Sequence, residues 1–463
     1  MSFGVVTAWT LLRAAAIAGL AIFLAKPLAE MLRGLAPPWR RAVWLLLLLP
    51  ALTPPILTGY VLARGRFAGG TGTSSAEWIY AVVLLLKLVP IATLVLHLLP
   101  TPLTREGAHA FALLHRSWWA RQRFSWSAAG RAPGISLAII FLLAFSDFEL
   151  AAMWNARSWT VSLFDAHAGG LPLRDSLRLI AWPLGVEALV LGALVFDGRA
   201  IFGTGNNLSS PPERRPSSGL LIYLVSAALI VTLFPMASVL VRGASGFSTL
   251  LQTFSLGTDL LASVAFALSS SGAAFWIARG LVGKKTPLSS GRNPWFQRFP
   301  WKAICCLPGL LGALVLSLGM VTLFQSAPLR PAYDTMLPLW LALTLLLLPL
   351  ALLLRFLLNA SRPREAIFLA DQLRRPELLW QLQGRRAFLA WALLFCWAYF
   401  DFTAASILAP VGFTPVFVRL HNLMHYGQNA VLSAMVCAAL ATPLAVLLLT
   451  SAAARLYARH HGR

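Results

Sequence analysis

The sequence predicts an all-α polytopic membrane protein. It has eleven transmembrane helices, or twelve with one further helix at the start, in two parallel repeats related by a pseudo-twofold axis. Three observations carry this prediction. The 463-residue chain is 58% hydrophobic and only 12% charged, where an ordinary soluble domain is about 25% charged. Its apolar residues gather into runs of about 20, the length that crosses a bilayer as a helix. A distinctive stretch near residue 141 returns near residue 395. Such a composition excludes a soluble globular domain, a disordered chain and a collagen-like fibre. Cys305, Cys306, Cys396 and Cys437 lie in apolar stretches and show neither disulfide-framework nor metal-ligand spacing.

The apolar runs fall at roughly 8–32, 42–63, 77–100, 134–154, 177–198, 219–241, 257–279, 303–325, 335–358, 387–409 and 428–454. Arg13 and Lys26 interrupt the first of them, and each is expected to snorkel toward its own interface. The net charge of +22 would suggest nucleic acid in a soluble protein. Here the basic residues sit in short connectors between apolar runs, which is the positive-inside pattern and argues for no nucleic-acid partner. Alternate connectors are rich in Arg and Lys. The opposite ones hold only Arg64, Arg66, Arg157, Arg174, Arg242, Arg330 and Arg419. The rich side is cytoplasmic, so the N-terminus is outside and the C-terminus inside. No basic n-region or small-residue cleavage site precedes the first run. The expected location is the inner membrane of a bacterium.

Phe141-Leu-Leu-Ala-Phe-Ser-Asp147-Phe148-Glu149-Leu-Ala151 is matched, 254 residues later, by Phe395-Cys-Trp-Ala-Tyr-Phe-Asp401-Phe402-Thr403-Ala-Ala405. Each copy ends an apolar run and follows a long Arg-rich connector. The polar, Pro- and Ser-rich stretch 203–218 is the natural linker. The chain divides accordingly into a first lobe 1–202 with five spans, the linker 203–218, and a second lobe 219–463 with six. The first lobe is one helix short of the second. Parallel repeats commonly place a translocation path at their interface, which favours transport over catalysis.

The connectors 101–133 and 359–386 then carry the functional reading. The second contains Arg364-Glu365-Ala366-Ile367-Phe-Leu-Ala-Asp371 and continues to Trp380. The first contains Ala110-Phe-Ala112-Leu-Leu-His-Arg116-Ser-Trp118-Trp119. Both resemble the Glu-Ala-Ala coupling loop of binding-protein-dependent ABC transporter permeases. Asp371 stands where that loop has Gly, and the closing Leu-Pro is absent. Leu48-Leu-Pro50-Ala-Leu-Thr-Pro54-Pro55-Ile56-Leu-Thr-Gly59 resembles a span entry of fused ferric-iron and thiamine permeases. Leu307-Pro308-Gly309 holds the equivalent place in the second half, and Leu408 to Gly427 resembles the last external loop of that branch.

The resemblance implies a fused, two-lobed importer permease. It implies a separate cytoplasmic ABC ATPase, as a homodimer, and an extracytoplasmic solute-binding protein. Ala112, Arg116, Trp118, Trp119, Glu365, Ala366 and Asp371 would couple to the ATPase, and Asp147, Asp401, Pro54, Pro55 and Pro308 would line the path or its gate. The chain has no Gly-x-x-x-x-Gly-Lys-Ser/Thr phosphate loop, so it is not expected to hydrolyse ATP itself. No cofactor or metal is expected, and lipid is the surrounding partner.

Ionisable residues inside a span are functional candidates because their burial is costly. Asp147 and Asp401 recur together, which suggests a shared job such as holding a helix break. Lys87 and Glu187 are single mid-span charges, and Lys87 is expected to pair with an acidic residue on a neighbouring helix. They support the first alternative, a secondary transporter coupled to an ion gradient. His421 and His425 lie four residues apart, which fits one helical face and hence a zinc site. No Asp, Glu or Cys accompanies them, and a packed external loop is the plainer reading. A lipid-linked transferase ranks third, because Asp165, His167, Asp175, His421 and His425 are scattered rather than clustered.

Overall fold

The computed structural model describes residues 2–63, 73–99, 117, 123–124, 126–127, 129–198, 217–253, 256–282, 308–360, 364–373, 376–424 and 429–460. All the regular structure among them is helical. Among the described residues, seven helices are long and apolar enough to cross a membrane: Phe3–Gly34, Ser75–His97, Ala132–Met153, Ser218–Gly243, Leu256–Leu281, Leu337–Arg355 and Ala430–Ala454. A bent pair, Pro38–Leu52 and Pro55–Leu62, folded by 79°, makes an eighth if it is one span. The protein is therefore of the polytopic helical membrane class.

Three of the eleven expected spans take a different form. Leu173–Gly198 is a 26-residue helix interrupted by Arg178, Pro183 and Glu187. Among the described residues of 303–325, the apolar helix of ten or more residues is Ala313–Gln325, 13 residues long. The run 387–409 is broken at Asp401 into Arg385–Phe400 and Thr403–Leu408.

Compact packing divides the chain into Met1–Ser238 and Val239–Arg463. In the first unit the helices are α1 (Phe3–Gly34), α2 (Pro37–Leu52), α3 (Pro55–Thr58), α4 (Thr73–Leu98), α5 (Ala132–Phe145), α6 (Glu149–Met153), α7 (Trp159–Ala168) and α8 (Leu173–Gly198). The ninth, α9 (Ser218–Gly243), has a π turn at Leu229–Leu233 and carries the division. α1 packs on α4 and α5, α4 on α5, α7 on α1 and α8, and α8 on α5. Ala14, Ala18, Ala21, Ala25 and Ala29 form the buried stripe of α1. This spacing of three and four residues puts small side chains on one face, and small faces let membrane helices approach closely. The opposite face carries Trp9, Leu12, Leu20 and Phe23, all exposed. A helix apolar all round suits lipid, not water.

The observed division differs from the expected linker at 203–218, of which 203–216 lie outside the described residues. The first part of α9 belongs with the first unit because it packs on α2. Its Thr232 hydroxyl lies 2.7 Å from that of Thr53, and Ala227 and Val231 cluster with Leu86. A polar linker is visible in composition, whereas the partner of an apolar helix is not.

The second unit contains α10 (Phe247–Thr253), α11 (Leu256–Val282), α12 (Ala313–Gln325), α13 (Leu337–Ala360), α14 (Arg364–Gln372), α15 (Pro376–Leu379), α16 (Arg385–Phe400), α17 (Thr403–Leu408), α18 (Val416–Met424) and α19 (Asn429–His460). α11 packs on α13 and α16, α13 on α16, α18 on α11 and α19, and α19 on α16. Ser263, Ala267, Ser270, Ala274 and Ala278 form the small buried stripe of α11.

One close approach in this unit, at the start of α19, depends on glycine. A Cβ on Gly246 would run into the backbone carbonyl of Ala430, at the start of α19. Gly272 has open space at the same test. Gly246→Ala is therefore expected to cost about 1–3 kcal/mol through overpacking. Gly272→Ala should be neutral or stabilising by about 0.5–1 kcal/mol, since alanine favours a helix interior. Melting of the two variants in detergent checks this, and equal midpoints would refute the contact.

Arg13 and Lys26 do not snorkel. Arg13 donates to Glu77 at 2.6 Å and lies over the Tyr80 ring, while Lys26 lies over the Trp126 ring. Both cations are buried. Arg13 is held by partners on α4, and Lys26 by the Trp126 ring together with Glu30 one turn along its own helix.

Candidate functional site

In each unit a broken span is followed by a short helix held by a hydroxyl. In the first unit α5 stops at Phe145 and the chain extends through Asp147 before α6 begins. An Asp147 carboxylate oxygen accepts from the Ala151 N–H at 3.1 Å and from the Tyr80 hydroxyl at 3.0 Å. A carboxylate here satisfies an orphan N–H at a helix start and suits the positive end of its dipole. α6 closes with Asn155 in the left-handed region (φ 48°), while the Ala156 N–H returns to the Ala151 carbonyl. The first N–H of α7, from Trp159, then donates to the Thr10 hydroxyl at 3.2 Å. That hydroxyl itself donates to the Val6 carbonyl.

The second unit has the corresponding parts. α16 stops at Phe400, and an Asp401 carboxylate oxygen accepts from the Ala404 N–H at 2.9 Å. The first N–H of α18, from Val416, donates to the Ser263 hydroxyl at 2.9 Å, and that hydroxyl donates to the Asp259 carbonyl. Phe148 packs on Phe164 in the first unit, and Phe402 on His421 in the second. Arg419 and Asp259 form an ion pair at 2.9 Å that ties α18 to α11. A cavity of about 20 Å³ opens beside Asp401, lined also by Ser263, Tyr399, Phe413 and Phe417. That volume suits a single water molecule.

α4 organises the first unit. Glu77, Tyr80 and Lys87 follow the spacing of one helical face. Glu77 accepts from Arg13 and, at 2.5 Å, from the Arg157 N–H. Tyr80 reaches Asp147 as described. Lys87, only 8% exposed, donates to the Pro50 carbonyl at 3.2 Å and to the Thr53 carbonyl. The reason lies in the sequence Pro50 to Pro55. Pro54 has no N–H to return to Pro50, so α2 ends with orphaned carbonyls at the negative end of its dipole. The buried ammonium occupies that end. Its hydrogen bonds thus go to backbone carbonyls, while the expected acidic neighbours, Glu149 and Asp147, act on it through their charge.

Pro54 is buried and Pro55 starts α3. Beyond them Gly59 meets Met153 of α6 so closely that a Cβ would collide with its side chain. The proline break and the Asp147 break therefore adjoin. In the second unit, Pro308 is helical, and the residues just before it lie outside those described. The next residue, Gly309, lies against the Leu345 carbonyl and the Pro349 ring of α13. Pro349 is the residue that would otherwise have donated to Leu345.

Of the expected coupling residues, Ala112, Arg116, Trp118 and Trp119 lie outside the described residues, as does His425. Glu365, Ala366 and Asp371 fall on α14, with Ala366 half-buried. Phe368, Leu369 and Leu373 stand exposed on this short segment at 63%, 58% and 64%. Sequence reasoning passed over Thr10, Ser263, Glu77 and Tyr80. A threonine or serine in an apolar helix is unremarkable in composition, and only a fold reveals which N–H it meets.

These features define a helical membrane protein with paired, polar-capped helix breaks. Comparison with protein-family models, with curated proteins and with solved structures finds no match.

Proposed function

We propose that the chain is the fused permease subunit of an ABC importer, with eleven spans in two repeats of like order. It provides the translocation path and takes its energy from a separate ATPase. The observation that carries this reading is the matched pair of devices in the two units. Each has a long helix bearing a hydroxyl, an Asp-capped break, and a short helix whose first N–H meets that hydroxyl. A duplicated, broken-helix architecture is what transporters use, because non-helical backbone at membrane depth is tolerated only where protein or a water-filled path satisfies it.

The second connector supports coupling. α14 offers the exposed apolar side chains of Phe368 and Leu369, with Leu373 just past its end, which suits seating in a groove of another protein. In this mechanism nucleotide-driven closure of the ATPase dimer moves the connectors 101–133 and 359–386. The lobes then alternate between outward and inward access, with a solute-binding protein delivering the substrate. Asp147, Asp401, Pro54, Pro55 and Pro308 hold the breaks that such a cycle would move. The inner membrane of a bacterium, with the C-terminus cytoplasmic, follows from the same reading.

The experiment is affinity purification of the tagged chain from its native membrane in mild detergent, with mass spectrometry of its partners. A stoichiometric P-loop ATPase is expected, at about two copies per chain for the two lobes that duplication implies. Replacing 365–380 by a Gly/Ser linker, or Glu365→Arg, should abolish that binding. Retained binding with full uptake in both variants would remove the coupling assignment. A chain that never brings down an ATPase would turn the reading toward a gradient-driven transporter.

A further inference from the structure

Glu187 lies in the middle of α8, about 21 Å from its first residue and about 17 Å from its last by helical rise. Its side chain is fully enclosed, at 0% exposed. Neither carboxylate oxygen has a hydrogen-bond partner among the described residues. It belongs to the buried stripe Ser176, Ile180, Pro183, Glu187, Leu191, which repeats at three and four residues.

Among the described residues, the elements that pack most on α8 are α5 and α7. α5 carries no titratable side chain from Ala132 to Phe145. α7 carries Asp165 and His167, close to the four-residue turn that joins it to the Leu173 end of α8. On α8 itself the other charges sit toward its ends: Arg174, Asp175 and Arg178 at one, Asp197 at the other. Arg178 and Asp175 pair with each other at the surface. Among the described residues, no cation and no donor therefore reaches the carboxyl. A buried carboxylate without either exchanges its charge for a proton, because the neutral acid is the form a low-dielectric site can hold.

We propose that Glu187 is a proton-binding site. The carboxyl holds its proton while the first unit is packed in this conformation and gives it up when water reaches this face of α8. Acid then favours the packed conformation, and each hydration of the face releases one proton. The importer reading needs no such site, and Glu187 belongs to neither matched helix break.

The test is labelling with dicyclohexylcarbodiimide, a lipid-soluble reagent that adds to protonated carboxyls. The acid proton passes to one carbodiimide nitrogen, and the carboxyl oxygen bonds to the central carbon. The O-acylisourea then rearranges to a stable N-acylurea, so the reaction is an addition with no leaving group. The full-length chain is reconstituted in phosphatidylcholine and phosphatidylglycerol vesicles, labelled at neutral pH and mapped by mass spectrometry. One adduct at Glu187 is expected, with a rate that falls as pH rises and with no labelling by a water-soluble carbodiimide. Glu187→Asp should keep the adduct at the same position and Glu187→Gln should lose it. An unmodified Glu187 peptide in the wild-type chain, after exhaustive labelling, overturns the proposal. So does labelling by the water-soluble reagent alone. The readout is taken on the isolated chain, so it is independent of whether an ATPase binds.

Discussion

Lys87→Met is expected to lower the stability of the first unit by about 2–4 kcal/mol. The substitution strands the Pro50 and Thr53 carbonyls, which Lys87 satisfies. Each buried acceptor left unpaired costs about 1–3 kcal/mol. Relief from burying the ammonium offsets part of that sum. For a unit of this size the melting midpoint in detergent should fall by roughly 5–10 °C. Lys87→Arg keeps a cation at the break and should recover part of the loss. The cause can be isolated with a second substitution. Pro54→Ala restores the N–H that Pro50 lacks, so in the Pro54→Ala background the loss from Lys87→Met should shrink by about 1 kcal/mol or more. A Lys87→Met chain that melts within a degree of the parent would show that the ammonium does not hold this break. A transporter coupled through Lys87 would behave differently: Lys87→Met would stop uptake while leaving the midpoint alone.

The second large effect is expected at Asp147. Its carboxylate accepts from the Ala151 N–H and from Tyr80, whereas the Asp401 carboxylate accepts from the Ala404 N–H. Loss of a helix-start cap costs about 0.5–2 kcal/mol, and the loss of the Tyr80 bond adds about 1 kcal/mol. Asp147→Ala should therefore cost about 2–3 kcal/mol and Asp401→Ala about 1 kcal/mol. Asp147→Asn retains an acceptor oxygen and should lose less than half of the alanine effect. Tyr80→Phe alone should account for the difference between the two sites. Equal midpoints for Asp147→Ala and Asp401→Ala would contradict this partition. If either carboxylate contacted substrate directly, the Asn variant would lose uptake at nearly full stability, so a transport assay beside the melting curve separates the two roles.

These predictions rest on partners of unequal visibility in the sequence. The recurrence of Asp147 at Asp401 is legible, because a charged residue in an apolar run stands out and the flanking aromatics repeat with it. Its role is not, because the hydrogen bonds go to N–H groups and to a tyrosine 67 positions away. Thr10 and Ser263 occupy equivalent places in the two units, but their neighbours share little side-chain identity. The likeness is carried by a donor–acceptor pattern, which backbone atoms supply and any hydroxyl can complete. Lys87 is conspicuous as a single charge. Acidic neighbours are foreseeable from side chains alone, and Glu149 and Asp147 do act on it, yet its hydrogen bonds go to the carbonyls of a helix end left open by proline.

By itself, the sequence determined the membrane class, the placement of most helical runs, the recurrence of the Asp147 stretch at Asp401 and some of the buried charges, Lys87 and Glu187 among them, but not Asp259 or Arg355. Hydropathy, proline chemistry and charge are local properties, and each can be read along one strand of text. The tertiary structure decided that Ser218–Ser238 packs with the first unit, and that one face of α4 joins Arg13, Asp147 and the Pro54 break. It also decided that Glu187 has no partner among the described residues. The physical reason is the same in each case. In an apolar helix nearly every face is hydrophobic, so composition does not choose between lipid and protein. Only the meeting of two particular faces decides which few polar groups are satisfied.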